Sequence, residues 1–408
     1  MIKACSVDVV CAEPDLSVSA AISFRQTSLS RLLRAAFVFP SDFKPIAVRP
    51  PAYSSPSSVM PDTHSARRKR KSDVTADNRA KPKVPHLDES TEPVPSSFLP
   101  SLMAIKQGFY LDSPNELVKF YQFCTTLDAK KPLGALMDIL QLRLVGPFEV
   151  LHLGISSTVE PGQYVRCHRY FHDPPELVTL LTGPNNLHYG YFRDTPTEKP
   201  AVVVKTDPSI GGELNLVAPT LFAAVKSLLS KKPTASAEVL LKKLCNFAKQ
   251  NNIILDATGR EKSERRARCV CPTLNGMGLV VKLRGGDIGY RPLSVSDSKL
   301  SALLKAVATA QTEESQLAKL EAVDQLVTYA QFACDEGDYG QSLELGLSLL
   351  AFRTKDIKPN QVTVFNSRIK HLLSVGYELA GRPEFSHVVR EHMNDRRVDP
   401  IGMPWNSE

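Results

Sequence analysis

Apolar residues recur along the chain at intervals that change from helical to β-type and back again. Between 117 and 124 they repeat at helical spacing, directly after a Ser-Pro-Asn-Glu segment at 113–116 that is typical of a helix start. Between 142 and 204 the pattern changes to short β-rich pieces interrupted by Gly-Pro and Pro-Pro pairs. The sequence therefore predicts an amphipathic helix followed by a small twisted sheet.

Helical spacing returns beyond residue 204 and dominates the rest of the chain. Apolar residues at 222–229 and at 240–247 each define one helix face, and a further strand pair is expected near 278–281 and 289–291. Five more helices are predicted, over 298–310, 314–335, 340–352, 362–379 and 383–396.

Composition separates the first 100 residues from the rest. They contain 12 of the chain's 30 prolines and few long apolar repeats, so they bury too little surface to offset the entropy lost on ordering. We expect a disordered basic tail at 1–100, joined to an α+β fold of two lobes. The first is a mixed lobe at 101–225, and the second is a mainly helical lobe with a small sheet at 226–400.

The tail contains a compact cationic cluster formed by Arg67, Arg68, Lys69, Arg70 and Lys71. Five consecutive cations in an exposed segment are typical of a nuclear localisation signal, and we interpret the cluster as one. The alternative is a charge run that only keeps the tail soluble. The sequence thus predicts a nuclear protein.

Charge and cysteine content argue against several classes of function. Residues 101–408 hold 36 Lys and Arg against 33 Asp and Glu, and such a neutral body lacks the basic face that direct nucleic acid binding requires. Eight scattered cysteines suit a reducing compartment. Cys269 and Cys271 lack the second ligand pair of a zinc site, so no metal is expected. Without an apolar run of about 20 residues, no membrane span is expected either.

The segment Cys-Asp-Glu-Gly-Asp-Tyr-Gly at 334–340 places three carboxylates where a long predicted helix ends. Anions at a helix C-terminus are disfavoured by about 0.3–1 kcal/mol each. Repulsion among Asp335, Glu336 and Asp338, together with the helix dipole, is expected to raise a carboxyl pKa toward the range of a general base. The alternative is a helical scaffold of the tetratricopeptide type, with no catalytic role, in which Asp338 only caps the next helix.

Several blocks of sequence occur in the order found in one known family. They are L-R-L-V-G-P-F at 142–148, D-P-P-E at 173–176, G-Y-F-R-D at 190–194, F-A-A-V-K at 222–226, Asp287 with G-Y-R at 289–291, F-A-x-D-E-x-D-Y-G at 332–340 and L-E-L-G at 343–346. On these blocks the chain resembles the histone PARylation factor family over residues 105–400. The tail at 1–100 is not part of the likeness.

The resemblance implies an accessory factor that is not an enzyme alone. Such a factor docks on the catalytic domain of poly(ADP-ribose) polymerases at DNA damage on chromosomes and directs ADP-ribosylation to serine in histones and other proteins. NAD is bound by the polymerase, and no cofactor is expected on this chain. A serine hydroxyl needs a base to remove its proton during transfer, an effect typically worth about 10²- to 10⁴-fold.

The resemblance also implies roles for individual residues. Glu336 matches the catalytic glutamate of the family, which supplies the general base in trans. Tyr290, Arg291 and Asp335 match residues that contact the polymerase.

Two further acids, Asp338 and Glu344, match residues that line the cleft for the peptide substrate. Gly337 and Pro292 depart from the family pattern, which has a cysteine and a glutamate at these positions. The departures concern details of substrate contact and leave the implied catalytic role intact.

Overall fold

In the part of the chain that the structure describes, twelve α-helices accompany one antiparallel β-sheet. A computed structural model describes residues 94–155, 159–256, 259–285 and 288–405, and the helices and five strands all lie in these ranges. The predicted α+β class is confirmed. The cationic cluster at 67–71 and Asp287 lie outside the described residues.

Along the chain, helices come both before and after the strands of the sheet. The helices are α1 (Leu99–Phe109), α2 (Asn115–Leu127), α3 (Met137–Leu140), α4 (Pro147–Leu153), α5 (Leu221–Ser230), α6 (Ala235–Gln250), α7 (Glu261–Arg268), α8 (Asp297–Ala308), α9 (Glu313–Asp335), α10 (Gly340–Ala351), α11 (Asn366–Leu379) and α12 (Pro383–Asn394). The strands are β1 (Arg143–Leu144), β2 (Leu177–Thr182), β3 (His188–Phe192), β4 (Val202–Thr206) and β5 (Leu214–Ala218).

The five helices predicted beyond residue 298 are confirmed as α8 to α12, although a 3₁₀ segment at Pro359–Phe365 precedes α11. Several elements differ from the prediction, since α1, α3, α7 and β5 were not predicted. The segment at 142–204 also contains the helix α4 in addition to strands. Pro147 explains this helix, because proline at the first helical position favours a helix start.

Short polar side chains fix where four of the helices begin. Thr220, Thr234, Ser296 and Thr312 precede α5, α6, α8 and α9, and each side chain accepts a hydrogen bond from the backbone N–H three residues later. Each cap satisfies an amide that the helix leaves unpaired, which typically stabilises it by about 1 kcal/mol. The long helix α9 is thus fixed in register from its first turn.

The sheet is a meander in the order β1-β2-β3-β4-β5, antiparallel throughout. Alternate residues enter different apolar clusters, as the two-residue period of a strand requires. Tyr191 and Val203 belong to the cluster formed with α1, α2, α5 and α6, whereas Phe192 and Val204 belong to a smaller cluster that includes Met277. The central strands are therefore buried on both faces.

A second large cluster joins the helices from α8 to α12. Leu343 and Leu345 of α10 are fully buried in it, and all twelve residues of α10 are buried. The lobe boundary predicted at residue 225 stays a prediction. Leu240 and Leu244, which lie beyond that position, pack in the first cluster with the sheet.

Polar contacts join the sheet to the C-terminal helices, and we call this set the sheet–helix junction. The Tyr377 hydroxyl of α11 donates to Glu176 Oε1 at 2.5 Å. The Arg396 guanidinium lies 3.8 Å from the centre of the Phe171 ring and donates to the carbonyl oxygens of Phe171 and Leu350. The junction therefore uses buried, directional hydrogen bonds, and these specify one arrangement of the packed elements.

The strand pair predicted near 278–281 and 289–291 differs from what the structure contains. In the described residues this region has only two isolated bridges, Cys271–Leu279 and Arg284–Ile288. Glycines at 285 and 289 hold positive φ angles of 56° and 131°, which turn the chain before a ladder forms. Across the described ranges no helix is both long and apolar enough to cross a bilayer.

A half-buried acid in α2 links the sheet to α5. Glu116 accepts hydrogen bonds from the Tyr191 hydroxyl at 2.6 Å and from the Leu221 backbone N–H at 3.1 Å. Burial raises the pKa of Glu116 from 4.5 to about 7, against the opposing effect of these hydrogen bonds. Because the folded pKa is raised, this group stabilises the fold fully below about pH 4.5, and the contribution is lost as pH rises through 7.

Replacing Glu116 with Gln is expected to flatten the pH dependence of stability. The free energy of unfolding of the unmodified chain should fall between pH 5 and 8 by up to about 3 kcal/mol more than that of Glu116→Gln. Urea titrations at several pH values measure this difference. Parallel pH curves for the two proteins would show that the carboxyl ionises in the fold as it does in the unfolded chain.

Candidate functional site

The turn between α9 and α10 carries the predicted carboxylates. Glu336 caps the C-terminus of α9, and Gly337 follows with φ at 96°. The Gly337 N–H donates to Cys334 O at 3.0 Å, and the Asp338 N–H donates to Ala333 O at 2.7 Å. This is the Schellman arrangement, in which a glycine closes the helix. It places Glu336 and Asp338 on either side of one glycine.

A guanidinium lies between these two acids. The Arg291 Nη2 atom forms an ion pair with Glu336 Oε2 and a second one, at 3.1 Å, with Asp338 Oδ2. The hydrogen bond and the charge of Glu336 raise the pKa of Arg291. The sequence argument for acids that repel one another was incomplete, because a cation from a segment 45 residues away neutralises them.

Glu336 is open to solvent, with 58% of its side chain exposed, whereas Asp338 is only 14% exposed. Asp335 is exposed beside them. A partner molecule can therefore reach the Glu336 carboxylate directly. Asp338 instead faces the protein, where it contacts the segment that carries Arg291.

Hydrogen bonds fasten residues 289–292 to the turn before α10 and to the first residues of that helix. The Gly289 N–H donates to Asp338 Oδ1 at 2.9 Å, and Gly289 O accepts from the Gly340 N–H at 2.8 Å. The Gln341 side chain donates to Pro292 O at 2.7 Å. These contacts on both sides of Arg291 hold its backbone close to the turn.

Tyr290 and Glu344 meet behind this surface. The Tyr290 hydroxyl donates to Glu344 Oε2 at 3.1 Å, and only 6% of Glu344 is exposed. Burial raises the pKa of Glu344 from 4.5 to about 7. The sequence reasoning did not predict this effect, because burial of Glu344 depends on a loop from another part of the chain.

The structure thus brings the six predicted residues of this region together, from three segments of the chain. Tyr290 and Arg291 come from the loop before α8, Asp335 and Glu336 from the end of α9, and Asp338 and Glu344 from the turn and α10. The structure does not test their individual roles, which stay predictions.

Exposed apolar residues near the turn were missed by the sequence reasoning. Phe332, one helical turn before Glu336, is 57% exposed, and Ile288 is 53% exposed. Ile288 lies against Gly337, with its Cγ2 3.2 Å from the position that a Cβ there would take. Phe332 carried a readable signal, because it lies outside the stripe of buried residues in α9, whereas Ile288 had none.

Cys269 and Cys271 make separate contacts. The Cys269 Sγ contacts Met277 O at 3.5 Å, while Cys271 is buried beside Tyr290 and Glu344. Burial raises the pKa of Cys271 to about 12. Within the part of the chain that the structure describes, no three His, Cys, Asp or Glu residues are grouped as metal ligands would be.

Fold and site together define an α+β protein with an open, acid-rich surface site built at a helix turn. A family model described as Histone PARylation factor 1 matches residues 101–396, which include every described residue of this site. The chain belongs to the histone PARylation factor family.

Individual relatives agree with this assignment. Histone PARylation factor 1 of Mus musculus is 32% identical over 309 residues, which cover 73% of this chain and 87% of the relative. The protein of the same name from Danio rerio is 30% identical over 307 residues, with coverage of 73% and 86%. The resemblance inferred from the sequence blocks is therefore confirmed at the level of the family.

The close approach at Gly340 yields a test of the site's geometry. A Cβ at this position would lie 2.7 Å from Gly289 O and 3.0 Å from Tyr290 Cδ2. Gly340→Ala is therefore expected to displace the 289–290 segment and to destabilise the fold by about 1–3 kcal/mol. Gly134→Ala is the control, since its Cβ would meet nothing nearer than 4.0 Å. Equal thermal stability of the two variants would contradict the described packing.

Proposed function

We propose that this chain is an accessory factor for poly(ADP-ribose) polymerases that act on histones. It binds the polymerase catalytic domain and completes a joint active site with Glu336 as the general base. Family membership supports the coarse assignment. The observation that carries the mechanism is the exposed Glu336 carboxylate, paired with an arginine that follows a half-buried tyrosine.

The chemistry requires a base outside the cofactor pocket. In serine ADP-ribosylation the bond between the ribose C1′ and nicotinamide breaks, and a new bond forms from C1′ to the serine oxygen. Nicotinamide leaves neutral, and the serine proton must pass to a base. With NAD held by the polymerase, a carboxylate on the accessory chain supplies that base as an arginine finger supplies charge in trans.

The ion pair with Arg291 gives the proposed base a resting state. In the free chain the guanidinium forms an ion pair with the Glu336 carboxylate, so this carboxylate already has a partner within the chain. We infer that docking draws Arg291 into contacts with the polymerase and leaves Glu336 free for the serine hydroxyl. Activity would then depend on assembly of the complex.

The acids around the turn also suit the proposed substrate. Asp335 is exposed next to Glu336, and Asp338 lies on the other side of Gly337. Negative charge at this surface favours peptides in which Lys or Arg flanks the serine, as in histone tails. Asp338 adds negative charge to this surface from its half-buried position beside Arg291.

Glu336→Gln is expected to separate docking from chemistry. The amide keeps the shape of the side chain but cannot accept the serine proton, so serine transfer should fall by at least about 10²-fold while polymerase binding persists. Glu321→Gln, at an exposed position on the same helix, is the control for loss of a surface charge. The readout is serine-linked ADP-ribose on a histone peptide in a reconstituted reaction.

The outcomes of this experiment distinguish three cases. Modification of Asp and Glu acceptors needs no such base and should survive in Glu336→Gln. Proportional loss of binding and transfer would make Glu336 a contact residue. Full serine transfer by the variant would overturn the catalytic proposal and leave the helical scaffold as the better interpretation.

Arg291→Ala is expected to weaken polymerase binding by at least about tenfold, because Arg and Tyr are frequent anchors of protein interfaces. Arg266→Ala, which removes an exposed arginine of α7, is the matched control. Calorimetric titration of the catalytic domain measures both affinities. Wild-type affinity for Arg291→Ala, with the fold intact, would show that Arg291 serves only the internal ion pair.

We also propose that the chain acts in the nucleus, at sites of DNA damage on chromosomes, and that Arg67–Lys71 directs its import. Alanine at all five positions should shift a fluorescent fusion toward the cytoplasm. Nuclear accumulation of this variant in cells that lack the polymerase would refute the proposal, since those cells exclude import as a complex.

A further inference from the structure

Glu344 is buried behind Tyr290. Its Oε2 atom accepts a hydrogen bond from the Tyr290 hydroxyl at 3.1 Å. Only 6% of the residue is exposed. The carboxylate therefore takes this hydrogen bond from inside the protein and is closed to solvent.

The donor belongs to the segment that carries Arg291, because Tyr290 directly precedes Arg291 in the chain. Glu344 therefore holds this segment through the Tyr290 hydroxyl. The ring of Tyr290 is further seated against Gly340, where a Cβ would lie 3.0 Å from Cδ2.

Burial also decides between two roles for this acid. A residue that binds a peptide substrate must present its oxygen atoms to solvent, as the neighbouring Glu336 does with 58% of its side chain exposed. Glu344 presents almost none of its surface. Substrate contact, which the family resemblance implied for this residue, does not fit its position behind Tyr290.

We propose that Glu344 is a positioning residue for docking, and that its buried carboxylate sets the presentation of Tyr290 and Arg291 to the polymerase. The inference rests on the proposed function, because it assumes that these two residues contact the partner. Glu344 acts through them and touches neither substrate nor NAD. Its loss changes where the segment 290–293 lies, and the Arg291 guanidinium moves with it.

Affinity and catalysis are expected to respond differently to Glu344→Ala. The affinity for the polymerase catalytic domain should fall by at least about tenfold. At saturating accessory factor, the KM for a histone peptide and the kcat of serine transfer should match those of the unmodified chain. Glu344→Gln retains an acceptor oxygen and should restore most of the affinity, and Glu321→Gln serves as the charge-loss control.

Tyr290→Phe is the second variant, since it removes one donor while leaving the carboxylate and the ring in place. If Glu344 acts through the Tyr290 hydroxyl, the effects of Tyr290→Phe and Glu344→Ala on affinity are not additive in the double variant. Additive losses would show that the two residues act independently. That result would overturn the proposal even if Glu344→Ala folded poorly.

Amide hydrogen exchange in the isolated chain tests the anchoring without any polymerase. Exchange at 289–293 should accelerate in Glu344→Ala and stay unchanged in Glu321→Gln. Unchanged affinity with a raised peptide KM would assign Glu344 to the substrate cleft and refute the proposal. Should the unmodified chain fail to bind the polymerase, the proposed function would fall, while unaltered exchange in Glu344→Ala would separately refute the anchoring role.

Discussion

The carboxylate of Asp338 is the contact on which the site depends. One oxygen accepts the Gly289 N–H, and the other pairs with the Arg291 guanidinium. A single side chain thus fixes both the backbone that carries the arginine and the arginine's head group. Because only 14% of this side chain is exposed, its hydrogen bonds are sheltered from water and direct the geometry more strongly than surface contacts do.

Helix-closing geometry explains why three acids occur where a helix normally disfavours them. The glycine at 337 turns the chain, and the acids on either side of it, Glu336 and Asp338, both pair with Arg291. The unfavourable dipole at the end of α9 is then offset by the Arg291 charge. One guanidinium therefore has two roles at this turn. It pairs with the two acids in the fold, and it is proposed to contact the partner.

Much of the local structure could be predicted from the sequence, but few of the contacts between distant segments could. Periodicity located α8 to α12, and the crowded acids at 335–338 marked the turn, because both signals are contained in neighbouring residues. The contact of Arg291 with Glu336 joins residues 45 apart, and the burial of Glu344 depends on a loop from another segment. Local pattern cannot show such contacts, so the raised pKa of the buried Glu344 was not predicted from the sequence.

Ionic strength acts differently on the two arginine-centred arrangements described above. Arg396 in the sheet–helix junction donates to the neutral oxygens of Phe171, Leu350 and Asn366, whereas Arg291 pairs with acids at an exposed surface. Mobile ions screen exposed charges over a Debye length of about 8 Å at physiological salt, and buried contacts much less. Rising salt therefore loosens the Arg291 pair while the junction holds, so the surface site can rearrange on a body whose architecture stays constant.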